Sequence, residues 1–544
     1  MKRYLKLSLI LLVIIVFLFA RSSESANKED DSDSNTNVEQ SDESKEEAEA
    51  NEEDDSGTKK VLNVAINAQP ASLDHPQDPA VAVRDTARLM FETLVTTDEN
   101  YKPVPMLAES IDISDDGLTY TFKLREGIKF HNGKEMTSED VVASMYRWLE
   151  KSSITGRIFE GATWEADGDY TVILKLAKPS VLTLDTMASA KQAAAIMPKE
   201  VVESAAPEGV TEYIGTGPFK FVEWKQDQYI HFTKFEDYQP VDSPPSGLAG
   251  KREALVDDIY FYIVTDQTTR LSGLQTGQYD IIYGVPYDDY EKVLNDPNMD
   301  PYVDSYGEFI FIYNKVEGLA SNKKIRQAIN AALDMDEIMM GSFANEDLYW
   351  LASGYMHREI ANWASDAGSE YYNQKDPEKA KQLLEEAGYN GEVFTILTTR
   401  DYDYMYSASV VIQDQLTKIG MNVDLEVVDW ATLLDKQNNS PSEWDAYVVG
   451  SSIVSTPSQL LAISPTWAGG VQDDYILDLV SQIETAADQA EAKEIWDKLQ
   501  LYAWEEHVPI TTLGGYYSLY GASTKVEGFE LFSGPLFWNT KVNE

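Results

Sequence analysis

Asp116-Gly117-Leu118-Thr119-Tyr120-Thr121-Phe122-Lys123-Leu124-Arg125-Glu126-Gly127-Ile128-Lys129-Phe130-His131-Asn132-Gly133, followed by Thr137-Ser138-Glu139-Asp140-Val141-Val142, carries a strand, a turn and the start of a helix in one run. Leu118, Tyr120, Phe122 and Leu124 alternate with Thr119, Thr121 and Lys123, the period-2 pattern of a strand with one buried face. Asn132-Gly133 is a turn dipeptide. Thr137 with Asp140 three residues on reads as a capping box opening a helix whose apolar stripe is Val141, Val142, Met145, Trp148 and Leu149.

The same reading extends in both directions. Val61 to Ile66, Tyr170 to Leu176, Gln228 to Phe235 and Ile259 to Val264 read as strands; Leu271 to Gly277 reads as a short helix, returning to strand over Gly277 to Ile281. Further on, Asp376 is an N-cap, Pro377 takes the first helical position and Gly388 closes the helix, with Ala380, Leu383, Leu384 and Ala387 facing inward. Val393 to Leu397, Tyr406 to Ile419 and Val423 to Val427 continue as strand, helix and strand, the order of a doubly wound lobe. The fold class is α/β. A chain of 544 residues exceeds what one core usually supports, so two or three domains are expected.

The quoted stretch closely resembles the extracellular solute-binding proteins, family 5, of bacterial ABC importers. Other segments agree in family order: Gly215-Thr216-Gly217-Pro218-Phe219 leading to Glu223-Trp224-Lys225, Lys324 to Ile329 with Ala332-Leu333-Asp334, and Asp376 to Lys381 with Leu383 to Tyr389. The resemblance covers about residues 60–540 and implies a two-lobed periplasmic-binding-protein-like architecture of cluster C type, with an inserted lobe and a hinge. Lobe I would be 61–98, 213–300 and 507–544, lobe II the insert 99–212, and lobe III 301–506. Crossings near Glu308 and near His507 would form the hinge. The implied partners are a small solute or peptide, an ABC permease and its ATPase; a monomer is expected.

Composition agrees with an exported protein. The formal net charge is −48, and residues 22–58 alone hold 15 acids against 2 bases. That balance argues against nucleic acid as a partner, since phosphate neutralisation needs clustered Lys and Arg. It suits solubility by like-charge repulsion, or life in high salt or at alkaline pH. With no cysteine, disulfides, thiolate metal sites and cysteine nucleophiles are excluded. Met1 to Lys6 is basic and Leu7 to Ala20 almost wholly apolar, too short to span a bilayer but suited to a signal segment over residues 1–21. Related Gram-positive proteins carry a lipid-bearing cysteine after a small-residue box; here Arg21 follows Leu18-Phe19-Ala20. The segment is therefore either cleaved or retained as an anchor at the outer face of the membrane. Residues 22–58 are too polar to bury a core and read as a tether.

No enzyme motif is present: no G-x-S-x-G elbow, H-E-x-x-H, Walker A loop or G-x-G-x-x-G. The five histidines are scattered, and no metal or cofactor is expected. A secreted hydrolase and a peptide-signal receptor of the same fold are the rival readings. With 31 Tyr, 18 Phe and 11 Trp, side chains of apolar body and polar tip are plentiful for a ligand pocket.

The resemblance assigns ligand contact to Asp78, Ala80 and Val81 after Ser72-Leu73-Asp74, to Phe311 and Tyr313 at a lobe boundary, to Trp430, and to Gly450, Ser451, Ile453 and Ser455 in a ligand-facing loop. One departure decides the ligand chemistry. Peptide-binding relatives place an aspartate four residues before the proline of that loop, where it pairs with the peptide's α-ammonium; counting back from Pro457 gives Ile453. A buried ammonium without a counter-ion costs several kcal/mol. The ligand is therefore expected to be neutral at that end, blocked, or a non-peptide such as an oligosaccharide, unless another acid substitutes.

Overall fold

The computed structural model describes residues 59–486 and 488–543; the segments read as signal (1–21) and tether (22–58) lie outside the described residues. The architecture is mixed α/β. One 11-stranded sheet runs, in order, Asn422–Val427, Val393–Thr398, Ala446–Ser452, Met299–Tyr313, Ile510–Ser523, Ile281–Tyr283, Val61–Ile66, Asp258–Ile263, Tyr229–Lys234 and Phe219–Lys225, with Tyr349–Trp350 added on Ile510–Ser523. Val393–Thr398 pairs in parallel with Asn422–Val427, joined by helix Asp403–Lys418 as a strand-helix-strand unit. The anticipated return to strand at Gly277 begins instead at Ile281; Gly277 takes a left-handed turn (φ 73°) and Asp280 accepts the Asn63 N–H at 2.7 Å.

Two long antiparallel strands, Met299–Tyr313 and Ile510–Ser523, join the halves of this sheet. The register shifts between Ser305 and Gly307, where Gly307 lies opposite Tyr516 and Glu308 opposite Gly515. Residues 299–305 pair with 517–523, on the side of the N-terminal strand; residues 310–312 pair with 510–512, on the side of the C-terminal half. Gly514 and Gly515 lie opposite Phe309 and Glu308 in this ladder, within the strand that follows His507.

The stretch that opened the sequence reading builds a separate small sheet. Ala108–Ile113, Thr119–Leu124, Thr171–Lys175 and Thr163–Ala166 pair antiparallel in that order. Helix Ser138–Lys151 packs on it through Val141, Met145 and Trp148, all fully buried. Its start is held by Asp140, whose Oδ2 accepts from Thr137 N and Thr137 Oγ1, each at 3.0 Å, while Oδ1 accepts from Lys134 Nζ at 2.6 Å and Lys199 N at 2.8 Å. A fully buried carboxylate with four donors is satisfied in a way that a solvent-facing cap is not. Among the described residues no helix is long and apolar enough to cross a membrane.

Candidate functional site

Stretches of chain remote in sequence meet at one small cavity, partly open to solvent. Pro79, Val81 and Arg84 come from the first helix and its approach; Thr97, Tyr101, Ser189, Ala190 and Lys191 from the insert and its flanks; Ser452, Ile453 and Ser455 from the end of strand Ala446–Ser452; and Ser533 from the C-terminal segment.

Each stretch is fixed by a local device. The approach to Pro79 is anchored by Asp74, which takes both terminal nitrogens of Arg147 from the insert's helix, Nη1 to Oδ1 at 2.8 Å and Nη2 to Oδ2, and also accepts the Val210 N–H at 2.9 Å. Asp78 Oδ1 accepts from Ala80 N at 2.9 Å and shapes the turn into helix Val81–Ala87. Tyr101 sits at the tip of a tight loop with φ 57°, a left-handed conformation that a tyrosine adopts at a cost. Asp98 holds that loop, its Oδ1 accepting from Asn100 N at 2.8 Å and Lys102 N at 2.9 Å. The Tyr101 ring lies 4.6 Å from that of Phe532, and its hydroxyl reaches Glu359 of the C-terminal half at 3.5 Å. Gly450 runs against Tyr516 so closely that a Cβ would overlap its hydroxyl. Ile453 N donates to Tyr306 O at 3.1 Å, and Ser455 N to Gln459 Oε1 at 3.1 Å.

The charges are distributed unevenly. No carboxylate lines the cavity; its ionic residues are Arg84 and Lys191. Behind Arg84, Asp85 accepts its Nε at 2.7 Å and lies 3.9 Å from Arg88, and Asp304 accepts the Gly534 N–H at 2.8 Å. Burial works against the Arg84 charge, but Asp85 beside it more than offsets that and holds its pKa above the usual arginine value. Burial, opposed by Arg84, pushes the Asp304 carboxyl up to about 6. Burial lowers the Lys191 ammonium below the ordinary lysine value. Within the long strand Met299–Tyr313, burial pushes the Glu308 carboxyl well above the usual range.

Of the residues the sequence assigned to the ligand, Val81, Ile453 and Ser455 line this cavity, Asp78 and Ala80 flank Pro79 at its rim, and Gly450 and Ser451 lead into Ser452. Phe311 and Tyr313 do not reach it: both are fully buried, Tyr313 Oη hydrogen-bonded to Thr511 Oγ1 at 2.8 Å, so in this conformation they offer no surface to a solute. Trp430 opens helix Trp430–Asn439 half-buried, its ring 5.2 Å from that of Tyr402, outside the lining of this cavity. Arg84, Tyr101, Lys191 and Ser533 were not anticipated. Only Tyr101 left a trace, as an aromatic at the tip of a polar turn between two short strands.

A mixed sheet whose halves are joined by two long strands, with a cavity where segments of both halves meet, is the architecture of a binding protein of the two-lobed type. The profile of the bacterial extracellular solute-binding proteins, family 5 (middle), matches residues 102–470, and the chain belongs to that family. The oligopeptide-binding protein AppA of Bacillus subtilis is 30% identical over 409 residues, 70% of this chain and 71% of that one. A probable peptide ABC transporter periplasmic-binding protein of Sinorhizobium fredii is 29% identical over 477 residues, 83% of this chain and 88% of the relative. Among solved structures, the periplasmic binding protein AgaA from A. tumefaciens R10, in complex with agropinic acid, superposes with a TM-score of 0.75 at 28% identity, covering 89% of this chain and 99% of that chain. AppA of Bacillus subtilis in complex with a nonapeptide gives 0.71 at 25% identity, covering 87% and 96%. The chain is thus an exported substrate-binding protein of the ABC-transporter type; its family and relatives bind rather than transform.

Proposed function

We propose that the protein captures a small solute in the cleft lined by Arg84, Tyr101, Lys191 and Ile453 and presents it to a membrane permease. The observation that carries this is the convergence of chain segments remote in sequence on one cavity. Bending where the two long strands pass Glu308, around the register shift at Ser305–Gly307, would open and shut the cleft. The lobe boundaries assigned from sequence, with the second crossing moved to Gly514–Gly515, make the two rigid bodies, and the protein acts as a monomer held at the outer face of the cell.

Ile453 supports a ligand without a free α-ammonium at this end. Relatives differ in cargo, one being in complex with a nonapeptide and another with agropinic acid, so the fold leaves the choice to the lining residues. The test is calorimetry and thermal shift with peptides and small metabolites. A ligand at 100 times its Kd should add about 2.7 kcal/mol of stability without being chemically changed. Turnover of any compound, with none that stabilises, would overturn the reading.

A further inference from the structure

We propose that the solute carries a carboxylate, and that this carboxylate is received by the Arg84 guanidinium and the Lys191 ammonium in the cavity that Ile453 also lines. The inference rests on the solute-binding reading above and assigns its ligand class.

Three observations converge. Arg84 uses only Nε on Asp85, at 2.7 Å; among the described residues neither terminal nitrogen of its fork has a hydrogen-bond acceptor. The Lys191 ammonium has no ion pair or hydrogen bond among the described residues, although the residue is partly buried. In a chain with 92 acids against 44 bases, nearly every buried cation has found a carboxylate or carbonyl, as Arg147, Arg252, Arg270 and Arg326 have. Two cations with free donors, lining one cavity that has no carboxylate, are the complement of an oxyanion: the fork of Arg84 can take both oxygens, and Lys191 adds a point charge. The acids nearby do not compete. Asp85 is taken by Arg84 Nε, and Asp304 is engaged by the Gly534 N–H. The hydroxyls of Ser189, Ser452 and Ser533 around the cavity suit the remaining lone pairs of such a group.

The arrangement also predicts its own cost. An ammonium partly buried without a partner is unfavourable until an anion arrives, so the empty protein should gain stability when that charge is removed.

The experiment uses the full exported protein and one short peptide in three forms: free amine, N-acetyl and N-succinyl, the last placing a carboxylate where the first has an ammonium. Calorimetry at fixed ionic strength should show the N-succinyl form binding at least tenfold tighter than the N-acetyl form. Lys191→Met and Arg84→Gln should each reduce that preference at least fivefold. Lys191→Met should also melt at the same or a higher temperature than the parent when empty, a readout independent of any ligand. Equal binding of the two acylated forms, tightest binding of the free amine, or a lower melting temperature for Lys191→Met would each overturn the anion assignment and leave solute capture standing. If no form binds, native mass spectrometry of the protein as purified from its host decides between the two. A retained solute bearing a carboxylate supports the assignment, a retained neutral or cationic solute overturns it alone, and an empty protein overturns both.

Discussion

Replacing Asp74 by Ala should be among the most damaging single changes in the molecule, and the reason is arithmetic on its partners. Asp74 and Arg147 are 1% and 5% exposed. The carboxylate takes two guanidinium nitrogens and the Val210 N–H, while Arg147 Nε already lacks a partner. Removing the carboxylate strands a buried guanidinium, which costs about 3–5 kcal/mol. It also orphans the Val210 amide, which adds about 1–3 kcal/mol. The two share one site and will not sum fully, so a loss of about 4–6 kcal/mol is expected. Arg147→Met alone should cost less, because the stem of Met fills the same apolar space, and Asp74→Ala combined with Arg147→Met should recover much of the loss. The assay is urea denaturation of the four proteins of this cycle, read by tryptophan fluorescence. In a chain of several lobes the first transition is the relevant one, because unfolding need not be two-state. A loss below about 1 kcal/mol for Asp74→Ala, or a double variant weaker than the single, would show that the pair does not join the cleft loop to the insert as described.

Three further outcomes are expected. Arg157 Nε meets Glu484 Oε2 at 2.8 Å, joining the insert to the C-terminal half, and burial already raises the Glu484 carboxyl. Arg157→Ala should enlarge the ligand-free protein in solution scattering while changing stability by less than about 1 kcal/mol, since Arg157 is half exposed; an unchanged radius of gyration would remove this contact from the closure of the cleft. His75 is buried with Nε2 on Ala190 O at 3.1 Å, and burial, with Arg88 and Arg84 adding to it, lowers its pKa to about 3. The unfolded chain binds that proton near pH 6.5 and the native state does not, so this stability is fully present above 6.5 and is lost as pH falls toward 3, about 1.4 kcal/mol per unit. Between pH 7 and 5 the parent should therefore lose about 2 kcal/mol more than His75→Gln in urea titrations; parallel pH profiles would refute it. Ile453→Asp, which returns an acid to the cleft, should strengthen binding of a free-amine peptide relative to its N-acetyl form, and calorimetry showing no change in that ratio would place Ile453 away from the ligand's end.

Much of the fold was legible because its signals are local. The alternation at Thr119–Leu124, the Thr137 box and the helix Pro377–Ala387, capped by Asp376 and closed by Gly388 at φ 74°, stand where the pattern put them. Cap and period act within a turn or two of chain, so they survive in the sequence. The sheet order did not, because Met299–Tyr313 and Ile510–Ser523 pair across about 200 residues, and nothing local states which strand is its neighbour. The same strand explains why Phe311 and Tyr313 lie outside the lining of this cavity. Phe309, Phe311 and Tyr313 pack with Met335, Ile338 and Phe394, whereas Ile310 and Ile312 pack in the core shared with the insert and Ile453. Both faces are apolar, so alternation cannot say which one looks toward the cleft. Arg84, Lys191 and Ser533 are single residues from distant segments, and only the folded chain brings them to one cavity.

Several segments that line the cleft are rooted by a carboxylate that gathers backbone N–H groups, hydroxyls or a guanidinium; Asp74, Asp445 and Glu92 are buried and Asp98 is half-buried. Asp74 holds the segment that leads to Pro79, Asp98 the loop of Tyr101, and Asp445 the strand that ends at Ser452, its Oδ1 accepting from Leu319 N at 2.6 Å and its Oδ2 from Thr395 N at 2.9 Å. Glu92, close behind Ser189, takes Thr216 Oγ1 and Tyr238 Oη, each at 2.9 Å. Satisfied acids of this kind cost little once made, and they leave their loops few alternatives. In a protein so rich in acid, the segments that form the cleft are thus anchored by negative charge behind the surface, while the surface they present carries positive charge and hydroxyls. Arg84, its Nε on Asp85, and Lys191 are the charges that the cavity itself presents, and the acids that hold its walls lie outside its lining.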